Sequence, residues 1–509
     1  MGSKFDMSEI AKAHTLGLQS KASRLFPSML KTTPQAKARG CVFDIAEYAM
    51  GRLLKLGAEY VEVRLVTTKG SSYTFKNGVL LAGGIEDSFG VCARFLVNGC
   101  LGFTSTNLLT KGDVRKVIEK SYKLTKSARK FGETVKLSEE DVYKQEYTVK
   151  QKIKIDNVSI ESKVRLLHDI DKNILRSKVS VPGRFLSLSD SITTEYLATS
   201  EGSMIHAIIP RVNFYYFLTL SGKRSIQRYW QYGQTGGWEC VESWRLPETL
   251  GNEVELLSKN AEQGIKAPQK ILDVVCGPQI TGIMAHESVG HPYEADRILG
   301  REAAQAGESF VTVDMIGTRI GNKAVNVADD PTIANSYGFY LYDSEGVKAR
   351  RKLLIKEGMI NEFLHNRQTA TSLRLKSNGS ARASQYDKES IVRMSNTYFV
   401  PGEYNEEELF EDILEGIYLK SFTEWNIDDK RYNQKYVGAE AYLIKNGKIS
   451  KPVFQPVLEI NTKKLWNSVD AAANNLEHHA GSCGKGEPMQ AIPTWLGGPS
   501  IRLRKVMVR

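Results

Sequence analysis

Apolar and polar positions along this chain follow two periods, and the switches between them mark out its elements. Val42, Ile45, Ala49, Leu53 and Leu56 recur at helical spacing, with Gly57 placed to end the helix. The stretch YVEVRLV then alternates, which puts Val61, Val63 and Leu65 on one face of a strand. Asn77-Gly78 and Asn98-Gly99 each sit between β-rich runs and predict hairpin turns. Val114, Val117, Ile118 and Ser121 return to helical spacing. The Lys/Glu-rich segment 130–165 reads as partly helical, and the next fifty residues as β-rich with Gly/Ser turns. Leu250, Val254, Leu257 and Ala261 predict a helix over 248–265, ended by Ala267-Pro268.

Beyond that point KILDVVCGP is strand-like, and the stretches YGFYLYDSEGVKARRKLLIKEGMINEFLHN and AEAYLIKNGKISKPVFQPVLEI are hairpin-like. Leu409, Phe410, Ile413, Leu414 and Ile417 predict an amphipathic helix between them. The pattern is that of an α+β protein with two mixed α/β domains. Residues 41–267 form an N-terminal helix and antiparallel-sheet domain, and residues 268–509 a β-rich C-terminal domain. Residues 1–40 read as an extension or appended arm.

Composition narrows the function classes. The net charge of +11 is uneven, since residues 1–40 carry seven Lys/Arg against two Asp/Glu. The rest shows no basic stripe, zinc-finger spacing or RNA-binding aromatic motif, so direct nucleic-acid binding is not expected. No apolar run approaches the roughly 20 residues of a membrane helix, and the N-terminus lacks an apolar signal core. Six cysteines are scattered without disulfide rhythm, which predicts a reducing, cytoplasmic setting.

The candidate chemistry lies in AHESVGHPYEAD, residues 285–296, where His286 and His291 are five residues apart and Glu287 follows the first. On a regular helix residues five apart diverge by about 140°. A π-bulge would cut this to about 50°, and such bulges gather at functional sites. Gly290 permits distortion and Pro292 removes a helical hydrogen bond. The motif therefore suits one metal only on a deformed helix; otherwise it is two surface or capping histidines. A catalytic zinc also needs a third ligand and an open position. Cys483, in the Gly-rich stretch GSCGKGEPMQ with Lys485 to favour its thiolate, is the leading candidate; a small buried cysteine is the alternative. His478, His479 and Cys276 are rivals. Glu287 could take a proton from a water, and Glu294 could either orient an imidazole or pair with a surface charge.

Together these residues resemble the TldD/PmbA metallopeptidases, also called modulators of DNA gyrase, and within them the TldD type. GIMAHESVGHPYEAD is similar to the family's metal helix and GSCGKGEPMQ to its late cysteine segment. Further likeness lies in NGSARAS, IVRMSNTYFVPGE and GGPSIRLRKVMV, and in GAEYVEVRL and SFGVCARFLVNGCLGFTST of the first half. It spans roughly residues 41–509; Gly290 and the Pro292 that follows His291 depart from the ordinary helix formers expected there. The resemblance implies one zinc per chain held by His286, His291 and Cys483, with Glu287 as base and proton carrier. It implies a metalloprotease acting on small or unfolded peptides in a closed chamber, and a homodimer or a heterodimer with a paralogue. Arg382 or Arg393 would bind an oxyanion or a peptide carboxylate. The alternative function is a non-catalytic peptide-binding or regulatory subunit.

Overall fold

The structure is a computed structural model that describes residues 35–130, 134–302 and 308–509, so most of the expected arm lies outside the described residues. Helix α1 (Gln35–Leu56) begins six residues before Cys41 and buries Ile45, Ala49 and Leu53. It ends at Gly57, whose φ of +98° is the left-handed conformation that glycine adopts without strain. Strands β1 (Tyr60–Lys76) and β2 (Val79–Val97) join through Asn77-Gly78, and β2 joins β3 (Cys100–Thr106) through Asn98-Gly99. All four turn residues have positive φ, the geometry of a tight hairpin turn. Helix α2 (Lys111–Ala128) starts where the Thr110 side chain caps the Asp113 amide.

Past α2 the chain forms a short strand β4 (Lys144–Thr148) and helix α3 (Ile160–Arg176). Long strands β5 (Ser180–Thr199) and β6 (Met204–Ser221) follow, then β7 (Ile226–Thr235) and helix α4 (Leu246–Gln263). Leu250, Val254, Leu257 and Ala261 are buried on α4, as their spacing predicts. The seven strands make one sheet in the order β3-β2-β1-β5-β6-β4, with β7 also pairing β6.

The C-terminal half starts with β8 (Lys270–Cys276), part of a ten-stranded sheet, and runs into helix α5 (Pro278–Ala285). A six-stranded sheet carries β9 (Val327–Asp329), β10 (Asn396–Phe399), β11 (Glu477–Lys485) and β12 (Gln490–Gly498). The last strand, β13 (Ile501–Val508), returns to β8. With 24% helix and 42% strand, the protein is mixed α and β, as expected. We propose the division into two units at residues 267/268, where the chain leaves α4 for β8. Among the described residues no helix is long and apolar enough to cross a membrane, and the five described cysteines are free thiols.

Residues 409–417 depart from the helix their spacing predicts. Glu407–Leu409 make a single 3-10 turn, and Glu415–Leu419 form a strand that pairs in parallel with β8. Leu409, Phe410 and Ile413 are buried, but Leu414 is 79% exposed. Ladder hydrogen bonds to a buried strand override a local periodicity that spans barely two turns. The first strand also differs: β1 is buried on both faces at its start, including Glu62 and Arg64.

Those charges explain how the two halves are joined. Arg94 Nε on β2 lies 3.2 Å from Glu62 on β1, and its Nη2 also pairs with Glu345 of the C-terminal half. Nη1 donates to Ser390 Oγ at 2.9 Å, and the Arg367 amide donates to the other Glu345 oxygen at 2.7 Å. Glu62, Arg94 and Glu345 are each 2% exposed, so no water screens the cluster. Arg94→Ala leaves two buried carboxylates unpaired and should cost about 3–5 kcal/mol in chemical denaturation. A loss below about 1 kcal/mol would mean that apolar packing alone holds the halves together.

Candidate metal centre

The site begins where α5 stops being an α-helix. Pro278 opens that helix, and its Gly282 lies against β12, where a Cβ would come 3.1 Å from the Gly497 nitrogen. His286–Gly290 then form a π-helical turn, with the His291 amide donating to His286 O at 3.1 Å. The extra residue brings the two imidazoles round to the same side. Their ring centroids are 4.9 Å apart and nearly perpendicular. Gly290 has a role beyond tolerance of the bend, because a Cβ there would sit 1.9 Å from Met394 Sδ. Pro292, with no amide proton, follows the turn, and by Glu294 the backbone is extended.

Cys483 arrives from a strand. The Gly-rich stretch around it is the end of β11, paired antiparallel with β12 so that Cys483 faces Ile492. Cys483 Sγ lies 3.3 Å from His291 Nε2. One ligand-type atom from each of His286, His291 and Cys483 lies within 4.8 Å of the others, and all three residues are buried. His286 Nδ1 is buried without a hydrogen-bond partner. Two imidazoles, one with an orphaned ring nitrogen, and a thiol form a donor set that fits a borderline-soft divalent metal such as zinc.

The surrounding charges prepare these groups. Desolvation pulls the pKa of His286 and His291 down, which favours the neutral imidazole with a lone pair to donate. Burial alone would push the Cys483 thiol up, but His291 and Arg393 hold it at about 7. Burial also opposes the Glu294 carboxylate, yet Lys485, His291 and Arg297 keep it ionised, well below the usual range. Glu294 Oε2 faces His291 Nδ1 at 3.1 Å, so Nδ1 is the donor nitrogen and Nε2 is turned to Cys483. Of the two roles open to Glu294, the imidazole-orienting one matches this contact.

Lys485 acts differently from expectation. Its Nζ donates to both Asp296 oxygens at 2.6 and 2.8 Å and to Val392 O, and lies 3.3 Å from Glu294. It therefore ties the end of β11 to the segment after the π turn rather than acting on the thiol. Arg393 donates to the carbonyls of Cys483 and Gln490, and Arg382 to those of Met394 and Pro493. Both guanidinium groups expected to meet substrate are thus held by backbone carbonyls. His478 stacks on Trp495 and His479 packs edge-on against Trp230; neither belongs to the cluster, nor does Cys276 within β8.

Glu287 is 4% exposed, and its Oε2 accepts from Arg431 Nη1 at 2.7 Å. Among the described residues Oε1 accepts no hydrogen bond. Sequence reasoning missed Arg431, which lies 144 positions away in a polar turn with no motif. Its one local oddity is a φ of +62°, uncommon for a residue with a Cβ. Ser288 donates to Gln434 Oε1, as does Tyr436, and this fixes the wall beside Glu287.

Comparison with known proteins agrees along the chain. Residues 61–125, 153–261 and 268–509 match, in turn, the models for domain 1, the central domain and the C-terminal domain of the PmbA/TldA metallopeptidases. A metalloprotease of Methanocaldococcus jannaschii is 30% identical over 456 residues, covering 89% of this chain and 97% of that one. A metalloprotease of Methanothermobacter thermautotrophicus is 31% identical over 451 residues, with coverages of 88% and 95%. The solved structure of TldE from Thermococcus kodakarensis shares the fold, with a TM-score of 0.70 at 14% identity, covering 92% of this chain and 99% of that one. From β1 to β13 the chain belongs to the PmbA/TldD family of metallopeptidases.

Proposed function

We propose that this chain is a zinc-dependent peptidase in which His286, His291 and Cys483 hold the metal and Glu287 carries the proton. The observation that supports it most is the convergence of two imidazoles and one thiol within 4.8 Å, with the buried carboxylate of Glu287 following His286 in the chain. Zinc bound there would supply Lewis acidity, lowering the pKa of a water and polarising a peptide carbonyl. The protein's own part is positioning and proton movement. Glu287 takes the water proton at Oε1 and delivers it to the departing amine, while Arg431 fixes the carboxylate through Oε2. Glu294 keeps the His291 proton on Nδ1. Arg393 and Lys485 hold the Cys483 strand in place, and Arg382 holds the adjoining one.

The substrate would be a small or unfolded peptide, because Cys483 lies on an extended β hairpin that main-chain recognition could use. Assembly with a second subunit of the same family, as a homodimer or with a TldE-like paralogue, belongs to the same reading. So does a cytoplasmic setting, in keeping with the free thiols.

Plasma mass spectrometry of protein purified without added metal should find about one zinc per chain. Cys483→Ala should lose it. Retention in that variant would move the third ligand elsewhere, and failure to bind added zinc would favour a non-catalytic peptide-binding subunit.

Glu287→Gln should keep the metal and lower peptide turnover by about 100-fold or more. Turnover at the wild-type rate would remove Glu287 from the mechanism.

Metal affinity should also follow the Cys483 thiol, held at about 7. Above that pH the thiolate is already formed, and affinity measured by chelator competition should be nearly flat. Below it the metal must displace a proton, so affinity should fall about tenfold per pH unit. The histidines, with lowered pKa, add to the slope only at lower pH. An affinity that holds constant well below pH 7 would remove the thiolate from the ligand set.

A further inference from the structure

Apart from the metal-ligand set, an open cavity of about 200 Å³ lies between the N-terminal sheet and the C-terminal half. Its floor is one face of the sheet. Directly opposed residues on neighbouring strands point to the same face. One such row crosses four strands: Glu86 on β2, Gly70 on β1, Ser191 on β5 and Arg211 on β6. In the next row Thr68 and Thr193 place their hydroxyls 3.2 Å apart. Tyr337, Tyr386 and Pro493 form the roof.

An unmatched charge stands at each end of that row. Arg211 Nε and Nη2 donate to the carbonyls of Tyr337 and Phe339, both at a long 3.3 Å. Among the described residues its Nη1 has no acceptor and no carboxylate forms an ion pair with it. Desolvation accordingly lowers its pKa. Glu86 makes no hydrogen bond or ion pair among the described residues, and desolvation raises its pKa. Between them Gly70 leaves the floor bare; a Cβ there would come 2.1 Å from Asp190 O. Three strand spacings put Glu86 and Arg211 about 14 Å apart along the backbone. The inward reach of the two side chains leaves a gap for about two or three extended residues at about 3.5 Å each.

We propose that this cavity binds short peptides by both ends, the terminal carboxylate at Arg211 and the terminal ammonium at Glu86. The main chain lies along the hydroxyl floor. The cavity borders β12, the strand paired with the one that carries Cys483. Asn213 Oδ1, opposite Ser189 on the floor, accepts from Gln231 Nε2 at 2.6 Å, and that nitrogen lies 3.1 Å from Ser482 Oγ. Pro493 of the roof is the register partner of Ser482. Peptides of this length are what a peptidase releases or trims last, so the proposal rests on the peptidase reading for its ligand's source.

The test is calorimetry on the full chain carrying Glu287→Gln, which blocks turnover, titrated with triglycine, N-acetyl-triglycine and triglycine amide. Triglycine should bind, and blocking either end should weaken binding at least about tenfold. In Arg211→Gln the acid and the amide should bind alike. In Glu86→Gln the free and acetylated peptides should bind alike. Arg211→Lys should keep the preference for the acid, which separates charge from fold. Glu86 is exposed, so Glu86→Gln tests its half of the proposal with little risk to folding. No triglycine binding, or end preferences that survive in both charge variants, overturns the proposal. So does binding that His291→Ala abolishes while the two charge variants leave it untouched. The peptidase reading fails separately, if wild-type protein binds triglycine with these preferences yet cleaves no peptide.

Discussion

One additional residue in a helical turn governs the site. Without it, His286 and His291 would leave their helix in diverging directions, and no single ion could meet both. The π turn closes on the His286 carbonyl and removes that divergence. It is held from outside as well as from within: Gly282 lets the preceding helix lie on β12, and Gly290 lets the turn lie on Met394. Both glycines act through close approach, and neither adopts a positive φ. The deformation is thus a product of packing against the six-stranded sheet, which also supplies Cys483.

Bringing Cys483 to His291 across 192 positions requires strong anchoring. Arg393 holds the Cys483 carbonyl, and Lys485, two residues on and facing the same way, is bound to Asp296 and Glu294. Those carboxylates follow directly on the π turn, so the ion pairs staple β11 to the helix end from which His291 projects. Breaking such a buried pair is costly because it strands a charge without water. The same residues set the chemistry: Glu294 orients His291, and Arg393 with His291 lowers the thiol. Positioning and electrostatic tuning come from one set of side chains.

Much of this could be read from the sequence. The hairpins at Asn77-Gly78 and Asn98-Gly99 follow from local turn chemistry, and α4 from a long apolar stripe. His286, Glu287, His291 and Cys483 carry motif information, and the structure brings the two histidines and the cysteine together. What was illegible depends on distant contacts. Leu409 to Ile417 imitate a helix face, but pairing with β8 makes the last of them a strand. Arg431 reaches Glu287 from a polar turn, and Lys485 finds Asp296 instead of the thiol. Arg382 and Arg393 stand near motif segments, yet only the fold shows that carbonyls occupy both.

The balance of buried charge separates structure from binding capacity. Where a buried ion has a partner of opposite sign, as at Arg94 with Glu62 and Glu345, desolvation is offset within the protein and the cluster acts as a joint. Where it has none, as at the half-buried Arg211, the fold carries an uncompensated cost that a ligand of matching charge would remove; the exposed Glu86 carries a smaller one. A buried polar atom without a partner, such as His286 Nδ1, is likewise unmet. By that criterion the unmet groups occur on either side of the Cys483 strand, one among the metal-ligand residues and two in the cavity bordered by Pro493.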